Sequence, residues 1–372
     1  LIFQSKSLYL RKGFSFRKQL LLRIILGVNL APIVVKHKIR LEELRGRTLA
    51  VDANNFLYQF LALIRTPTGS PLESSNGTVT SHLAGLMYRS TRLICEYGID
   101  LIFVFDGVPP KYKDIEIAKR REIREKSTLE WKQALETRDY ARAFSKAVMT
   151  SRLTKPMIED AKRLLNLLGI PHVQAPSEAE AQAAYMAMKG DVWASSSRDF
   201  DSLLFGTPKL VRYLTLTGRE FLPSKGVSRR LEPELIVIDE FLSRYEITRR
   251  QLVDVAILMG TDFNEGVKGI GPKKSIKLIK EFGEIENLPT SIKIKVTQNY
   301  EDIRKIFLEP DVDQHYIVHQ GSVKEEELYA FLCDQKGFSR EHVKKVVDRI
   351  KRYRLETKQT DLAEWFKTKD KR

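Results

Sequence analysis

An α/β fold, with a central, largely parallel twisted sheet flanked by helices, is expected from three observations. Short apolar runs, Thr48 to Val51, Leu101 to Phe105, Pro171 to Val173 and Asp191 to Ser197, alternate with longer stretches of helical periodicity. Three of the runs lead into acids: Asp52, Asp106, and the pair Asp199 and Asp201. Strand ends of such a sheet lie side by side, where α/β folds bind their ligands. The chain of 372 residues is 42% hydrophobic, enough for one extended α/β domain or two smaller ones, and too apolar for disorder throughout.

Residues 1–26 carry six Lys or Arg and no acid, with an apolar run from Leu20 to Leu26 broken by Arg23. The run is too short to span a bilayer, and no small-residue cleavage site follows it. This segment is expected to be a leader foreign to the native protein, whose chain would start near Leu26 or Gly27. From Arg47 the elements follow in order. The strand Thr48 to Val51 precedes a helical stretch through Tyr58 to Ile64, then a Thr-, Pro-, Gly- and Ser-rich loop over 66–77. A helix from about Ser81 to Tyr97, apolar at Leu83, Leu86, Met87, Leu93 and Ile94, leads into the strand Leu101 to Phe105.

Residues 111–150 change character. Lys111, Lys113, Lys119, Arg120, Arg121, Arg124 and Lys126 crowd a helical but poorly apolar stretch, which reads as solvent-bridging or ligand-facing. The sheet pattern resumes with a helix Pro156 to Leu168, the strand Pro171 to Val173, a helix after Ser177 and the strand Asp191 to Ser197. Thr248 and Gln251 form a capping box that opens a helix apolar at Leu252, Val255, Ala256 and Met259 and closed by Gly260. No internal repeat is present.

Seven acids stand at ends of these elements: Asp52, Asp106, Glu178, Glu180, Asp199, Asp201 and Asp262. If they converge, each close pair repels by about 4 kcal/mol at an effective dielectric near 20, tolerable only with cations between them. Some have plainer readings. Ser177 and Glu180 are spaced as a capping box, which would tie Glu180 to a helix start. Asp199 and Asp201 in an extended segment would face one side, suited to gripping a cation. An all-oxygen ligand set suits Mg²⁺ or Mn²⁺, and two such ions about 4 Å apart serve phosphodiester hydrolysis.

The net charge of +15 puts the excess Lys and Arg elsewhere and favours a polyanion such as nucleic acid. Without the six charges of residues 1–26 the chain still carries +9. Cys95 and Cys333 sit within helical patterns and offer neither a disulfide framework nor zinc spacing, which suits a reducing cell interior. His315 and His319, four apart, lack a third ligand and read as structural. In the segment from Gly260 to Ser275, Gly266, Gly269 and Gly271 permit a tight turn whose amides approach a phosphate. Pro272 fits the first turn of the following helix, and Lys273, Lys274, Lys277 and Lys280 add charge. Pro272 also stands where a P-loop requires Lys.

The motifs Gly27-Val28-Asn29-Leu30, Val51-Asp52-Ala53, Phe103 through Pro110, Ala175 through Ala181 and Gly260 through Lys274 together resemble the archaeal flap endonucleases, in the order of that family. The resemblance runs from Gly27 almost to the C-terminus. It implies a PIN-like 5′ nuclease core that cuts the 5′ flap of branched DNA near the single-strand to duplex junction, with possible 5′-3′ exonuclease activity, in replication and repair. Two Mg²⁺, with Mn²⁺ as a substitute, would be held by the seven acids, Asp52, Asp106, Glu178 and Asp201 acting directly in catalysis. Lys113 and Arg120 would lie on a helical arch over 111–150 and steady the scissile phosphate, and Tyr58 would stack on a base. Gly269, Gly271, Lys273 and Lys274 would grip duplex DNA from a helix-two-turn-helix over 249–283, where the family binds K⁺. Gly266 stands where eukaryotic members carry Ser.

The implied organisation is a nuclease domain over 27–350, with regions 27–130, 151–290 and 291–350, followed by a tail over 351–372. Within the tail, Gln359, Leu362, Trp365 and Phe366 match the pattern of peptides that bind the sliding clamp PCNA. On a helix the last three would present a single apolar plug to a pocket. A terminal helix docking on its own domain is the alternative. The protein is expected to be a monomer in the archaeal cytoplasm, with no membrane partner. A related 5′ exonuclease or junction resolvase is the runner-up; a non-catalytic, clamp-associated DNA-binding protein would leave the seven acids unexplained.

Overall fold

The computed structural model describes residues 27–66, 68–215, 218–222 and 227–369, and side chains there except at 115, 141, 218–222, 227–230 and 358–369. The expected leader, residues 1–26, lies outside them. The strands are β1 (His37–Lys38), β2 (Thr48–Asp52), β3 (Asp100–Phe105), β4 (His172–Gln174), β5 (Ala194–Ser196), β6 (Lys209–Arg212), β7 (Gly218–Leu222), β8 (Val227–Leu231) and β9 (Glu234–Val237). Helices α1 (Ala53–Leu63), α2 (Ser81–Tyr97), α3 (Asp114–Glu136), α4 (Tyr140–Val148), α5 (Lys155–Leu168), α6 (Ala179–Lys189) and α7 (Asp201–Leu204) belong to the first half. Helices α8 (Ile238–Tyr245), α9 (Arg249–Met259), α10 (Pro272–Phe282), α11 (Thr290–Lys293), α12 (Tyr300–Leu308), α13 (Glu325–Tyr329) and α14 (Arg340–Lys369) complete the described chain. Among the described residues no helix is long and apolar enough to cross a membrane.

Seven strands form one sheet in the order β1-β9-β6-β5-β2-β3-β4. Its centre is parallel: β6-β5, β5-β2, β2-β3 and β3-β4 all run the same way. One side is antiparallel, β9 pairing with both β6 and β1, so the sheet is largely parallel, as expected. Strands β1, β6 and β9 are two to four residues long and, unlike the equally short β4 and β5, follow no long helix of clear periodicity that would flag them in sequence. A separate hairpin, β7 with β8, also went unread. The strand expected over 191–197 is confined to Ala194–Ser196, because 191–193 are a bend that returns from α6.

Alternation along the central strands feeds two layers. Leu49, Val51, Leu101, Phe103 and Phe105 face the core shared with α1, α2 and α5. Ala50, Ile102 and Val104 face α6. Both faces are covered, which is why these strands read as unbroken apolar runs. Phe56 packs edge-on against Phe60 and Phe103, with ring centroids 6.1 and 6.0 Å apart. A third core, built from α7 to α12, packs beside the sheet.

Register then sets the functional edge. Asp52 pairs with Val104 in β3, and Val51 pairs with Ser196 in β5, so Asp52, Asp106 and the residues after β5 emerge together at the carboxyl ends. Two local expectations are corrected here. The capping box of Ser177 with Glu180 does not form: Glu178 is the N-cap of α6, with no side-chain cap bond. The carbonyls of Pro176 and Ser177 instead accept from the amides of Val108 and Gly107, at 2.9 and 2.6 Å, which delays the helix start. The 198–200 segment is a bend rather than extended, and Asp201 opens α7.

Helices α3 and α4 form a hairpin above the strand ends, with Ala134, Ala143 and Ala147 buried between them. Small buried residues account for the poorly apolar pattern there. Between α9 and α10 lies the glycine-rich turn. The Thr248–Gln251 capping box opens α9, and Pro272 sits in the first turn of α10. Gly266, at φ +71°, would place a Cβ 2.3 Å from the amide nitrogen of Gly260 and 2.4 Å from the Met259 carbonyl carbon, so no side chain fits. His315 and His319 lie exposed on a loop and share no helix face. Cys95 and Cys333 are free thiols.

Candidate active site

All seven carboxylates line one cavity of ≈ 200 Å³ at the carboxyl edge of the sheet, together with Tyr58, Lys113 and Arg120. Each acid arrives by a different local device. Asp52 is the last residue of β2 and the N-cap of α1, accepting the Asn55 amide at 2.9 Å. Asp106 follows β3, accepting the Ala179 amide at the start of α6 at 2.8 Å and the Asn54 side chain at 2.7 Å. An anion at a helix N-terminus is favoured there. Glu178 and Glu180 straddle the same helix start. Glu178 receives Lys113 Nζ on both oxygens, at 2.7 and 2.6 Å, and Glu180 accepts from Ser202 Oγ at 3.1 Å.

Asp199 accepts from Asn55 Nδ2 at 2.7 Å. Asp201, in the first turn of α7, accepts the Val28 amide at 2.8 Å. The neighbouring Gly27, at φ +78°, would otherwise set a Cβ 2.5 Å from the Asp201 carboxylate. Asp262 follows α9 and pairs with Arg120 at 2.9 Å, while Arg120 also pairs with Glu116 one turn earlier on α3.

Burial without sufficient counter-charge marks the pocket. Desolvation, followed by repulsion from Asp106, lifts the Asp52 carboxyl well above the ordinary range, although the Asn55 amide opposes it. Glu180 is raised by burial and then by Asp201; Asp201 is raised by burial and then by Asp262. Burial pushes Asp199 up to about 6 against the pull of Arg198 and Arg212. Glu178 rises less, because Lys113 beside it opposes its desolvation. Desolvation works to lower the Lys113 ammonium, yet Glu178 and Asp106 outweigh it and hold the charge in place.

Lys113 and Arg120 pair directly with two of the seven acids, and carboxylates pushed towards protonation are those a bound cation would discharge. The donors are all oxygen, which fits a hard divalent ion. Among the described residues no three of these acids stand close enough together to hold an ion as they are placed.

The remaining candidates fall into separate places. Gly269, Gly271, Lys273 and Lys274 lie exposed on the turn between α9 and α10, outside the acid cavity. A Cβ at Gly269 or Gly271 would meet nothing within 4 Å, so the turn's backbone is open to close approach. Residues 359–366 are helical as part of α14, and the side chains of Gln359, Leu362, Trp365 and Phe366 lie outside those described.

Several positioning groups escaped the sequence reading. Asn54 and Asn55 orient Asp106 and Asp199, and Gln59 donates in turn to Asn55. Two asparagines two and three residues after the strand-end Asp52 were a visible signal. Ser202, beside Asp201, was a weaker one. The Val28 amide, 173 residues from its acceptor, left none.

Two family models match the chain: the XPG N-terminal domain over residues 26–127 and the XPG I-region over 169–262. Flap endonuclease 1 of Pyrococcus abyssi is 45% identical over 342 residues, covering 92% of this chain and 98% of the relative. That of Pyrococcus furiosus is 46% identical over 343 residues, covering 92% and 100%. The solved structure of flap endonuclease-1 from Methanococcus jannaschii, 40% identical, superposes with a TM-score of 0.70 over 89% of this chain and 100% of that one. Identity at this level along nearly the whole of each chain, with both family regions in one order, establishes descent: the chain belongs to the flap endonuclease 1 family.

Proposed function

We propose that the protein is a divalent-metal-dependent, structure-specific 5′ nuclease that hydrolyses a phosphodiester near the junction of a 5′ flap with duplex DNA. The convergence of seven carboxylates beside Lys113 and Arg120 carries this reading. Asp52, Asp106, Glu178, Glu180, Asp199, Asp201 and Asp262 are the residues that would hold the ions, Mg²⁺ or Mn²⁺. Bound, two such ions supply Lewis-acid activation of water and of the leaving oxygen.

The chain's own residues do the rest. Lys113 and Arg120, which here pair with Glu178 and Asp262 at the mouth of the acid site, would hold the non-bridging oxygens of the incoming phosphate. Tyr58 in the cavity wall offers a face for the displaced base. Asn55 and Asn54 keep Asp199 and Asp106 in fixed rotamers during the reaction. The turn around Gly269 and Gly271, with Lys273 and Lys274, grips the duplex backbone, and its openness to close approach supports that role. Because Gly266 has no room for a side chain, any K⁺ there would rest on main-chain carbonyls. The arch is assigned to 111–150, the duplex clamp to 249–283 and the nuclease domain to 27–350.

The C-terminal motif, Gln359, Leu362, Trp365 and Phe366, is assigned to a sliding clamp, with the enzyme acting as a monomer inside the cell. Deleting 359–366 should leave cleavage of free flaps unchanged and remove stimulation by the clamp. The decisive experiment compares rates on 5′-flap, blunt-ended and four-way-junction DNA, in Mg²⁺ and in chelator. Flap cutting that requires the metal and exceeds the other two supports the assignment. Faster cutting of ends or junctions transfers it to a sister activity, and cutting in chelator removes the metal mechanism.

A further inference from the structure

The root of the arch holds an unusual backbone. Tyr112 stands at φ +73°, a left-handed conformation that a bulky residue keeps only where its surroundings impose it. The next residue is Lys113, the N-cap of α3, whose ammonium meets Glu178 inside the acid cavity. The Tyr112 hydroxyl donates to Asp302 Oδ2 at 2.6 Å, in the first turn of α12. A cavity of ≈ 470 Å³, lined in part by Pro110, Tyr112, Asp302 and Lys305, lies between the arch root and α12, so the hydroxyl bridges a gap that packing leaves open.

The same nine-residue helix has a second anchor. Arg304, two residues beyond Asp302, binds Asp254 in α9 at 2.7 and 3.0 Å and Glu286, just past α10, at 2.7 and 3.0 Å. Helix α12 thus braces both sides of the glycine-rich turn and, through Asp302, holds the arch root.

We infer that Tyr112 is a positioning residue: its left-handed backbone and its hydroxyl bond to Asp302 aim Lys113 at the acid site and tie that aim to the helix bracing the duplex clamp. The inference rests on the nuclease reading given above. A single backbone reversal at Tyr112 decides which way Lys113 leaves the chain. The bond to Asp302 fixes the reversal against the helix that braces the glycine-rich turn, so Lys113 is held towards the acid site. Tyr112 lies outside the turn that grips the duplex, so its loss should tell on the rate more than on affinity for the duplex.

The test uses Y112F, D302A, D302N and the double variant Y112F/D302A in the full chain. At saturating enzyme in Mg²⁺, Y112F and D302A should slow single-turnover flap cleavage by about 5- to 10-fold, the size expected for one ordinary hydrogen bond at a solvent-accessible site. The Kd for the same DNA in chelator should stay within about twofold, below the tenfold that one good contact is worth. D302N, whose amide oxygen still accepts, should restore most of the rate, and the double variant should be no slower than either single one. An unchanged rate, a loss mirrored in Kd, or additive losses overturn the inference. A second readout needs no activity: acetylation of Lys113 in metal-free protein, followed by mass spectrometry, should be faster in Y112F than in wild type. Equal labelling overturns the positioning role, even if wild type fails to cut flaps and the nuclease reading itself falls.

Discussion

Asp201 and Asp254 lie in the same half of the molecule, both shut away from solvent, and they do opposite work. Asp254 in α9 is wholly buried, yet it receives Arg304 on both oxygens and the Ile285 amide at 3.3 Å. Arg304 in turn reaches Glu286, so that cluster is closed. Asp201, 6% exposed, receives the Val28 amide and then faces Asp262 and Asp199. Burial raises both carboxyls, but at Asp254 the guanidinium pulls back, whereas at Asp201 further acids push the same way. Depth alone therefore says little about the role of a carboxylate. The presence or absence of a counter-ion built into the fold separates an acid that holds the chain together from one that waits for a visitor.

Four substitutions test that contrast, beginning with the largest effect. Asp201→Ala should lower flap cleavage in Mg²⁺ by about 10³-fold or more, roughly 4 kcal/mol of transition-state stabilisation, while DNA binding in chelator persists. Normal cutting by this variant would break the site assignment. Asp254→Ala should do the reverse, costing about 3 to 5 kcal/mol of stability by stranding Arg304. Its cleavage rate, measured where it remains folded, should stay near that of wild type; a stable but inactive variant would erase the distinction between the two acids.

The next effect is set by pH. Asp199 titrates at about 6 in the fold against an ordinary value of 3.8, so the folded protein holds this proton more tightly than the unfolded chain. Its charged form costs stability above pH 6, and the cost vanishes as pH falls below the ordinary value. Metal-free Asp199→Asn should therefore melt higher than wild type at pH 8, by an amount worth about 2 to 3 kcal/mol, and alongside it near pH 4. Saturating Mg²⁺ should reverse the order at pH 8, stabilising wild type more than the variant. The smallest effect sharpens the contrast from the side of support: Asn55→Ala, which frees Asp199, should raise the Mg²⁺ requirement by about 10-fold and leave affinity for DNA unchanged. Measuring rate against Mg²⁺ concentration checks it.

The sheet's centre and its acids were legible because they obey local rules. Four or five apolar residues ending in Asp52 or Asp106 already say buried strand and carboxyl edge, and the helix Ser81–Tyr97 and the Thr248–Gln251 box are visible within one window. Glu180 was ambiguous for a physical reason. Its spacing from Ser177 is that of a cap, and only the pairing of residues 176 and 177 with Gly107 and Val108, some 70 residues earlier in the chain, removes that competitor. Strands β1, β6 and β9 stayed hidden, although β4 and β5 are no longer, because β4 and β5 each follow a long periodic helix in the βα pattern and β1, β6 and β9 do not. The Arg304 cluster and the Tyr112–Asp302 bond join residues 50 and 190 positions apart, which no local pattern encodes.

The turn between α9 and α10 carries two kinds of glycine, and the difference reaches into what sequence variation it tolerates. At Gly266 any Cβ collides with the backbone of Met259 and Gly260, so substitutions should disappear from a library sorted only for soluble expression. Gly271, with an ordinary φ of −103° and open space around it, should pass that sort with almost any residue and be lost only when the same library is panned on duplex DNA. One short loop would thus record, five positions apart, the separate demands of being a protein and of touching another molecule.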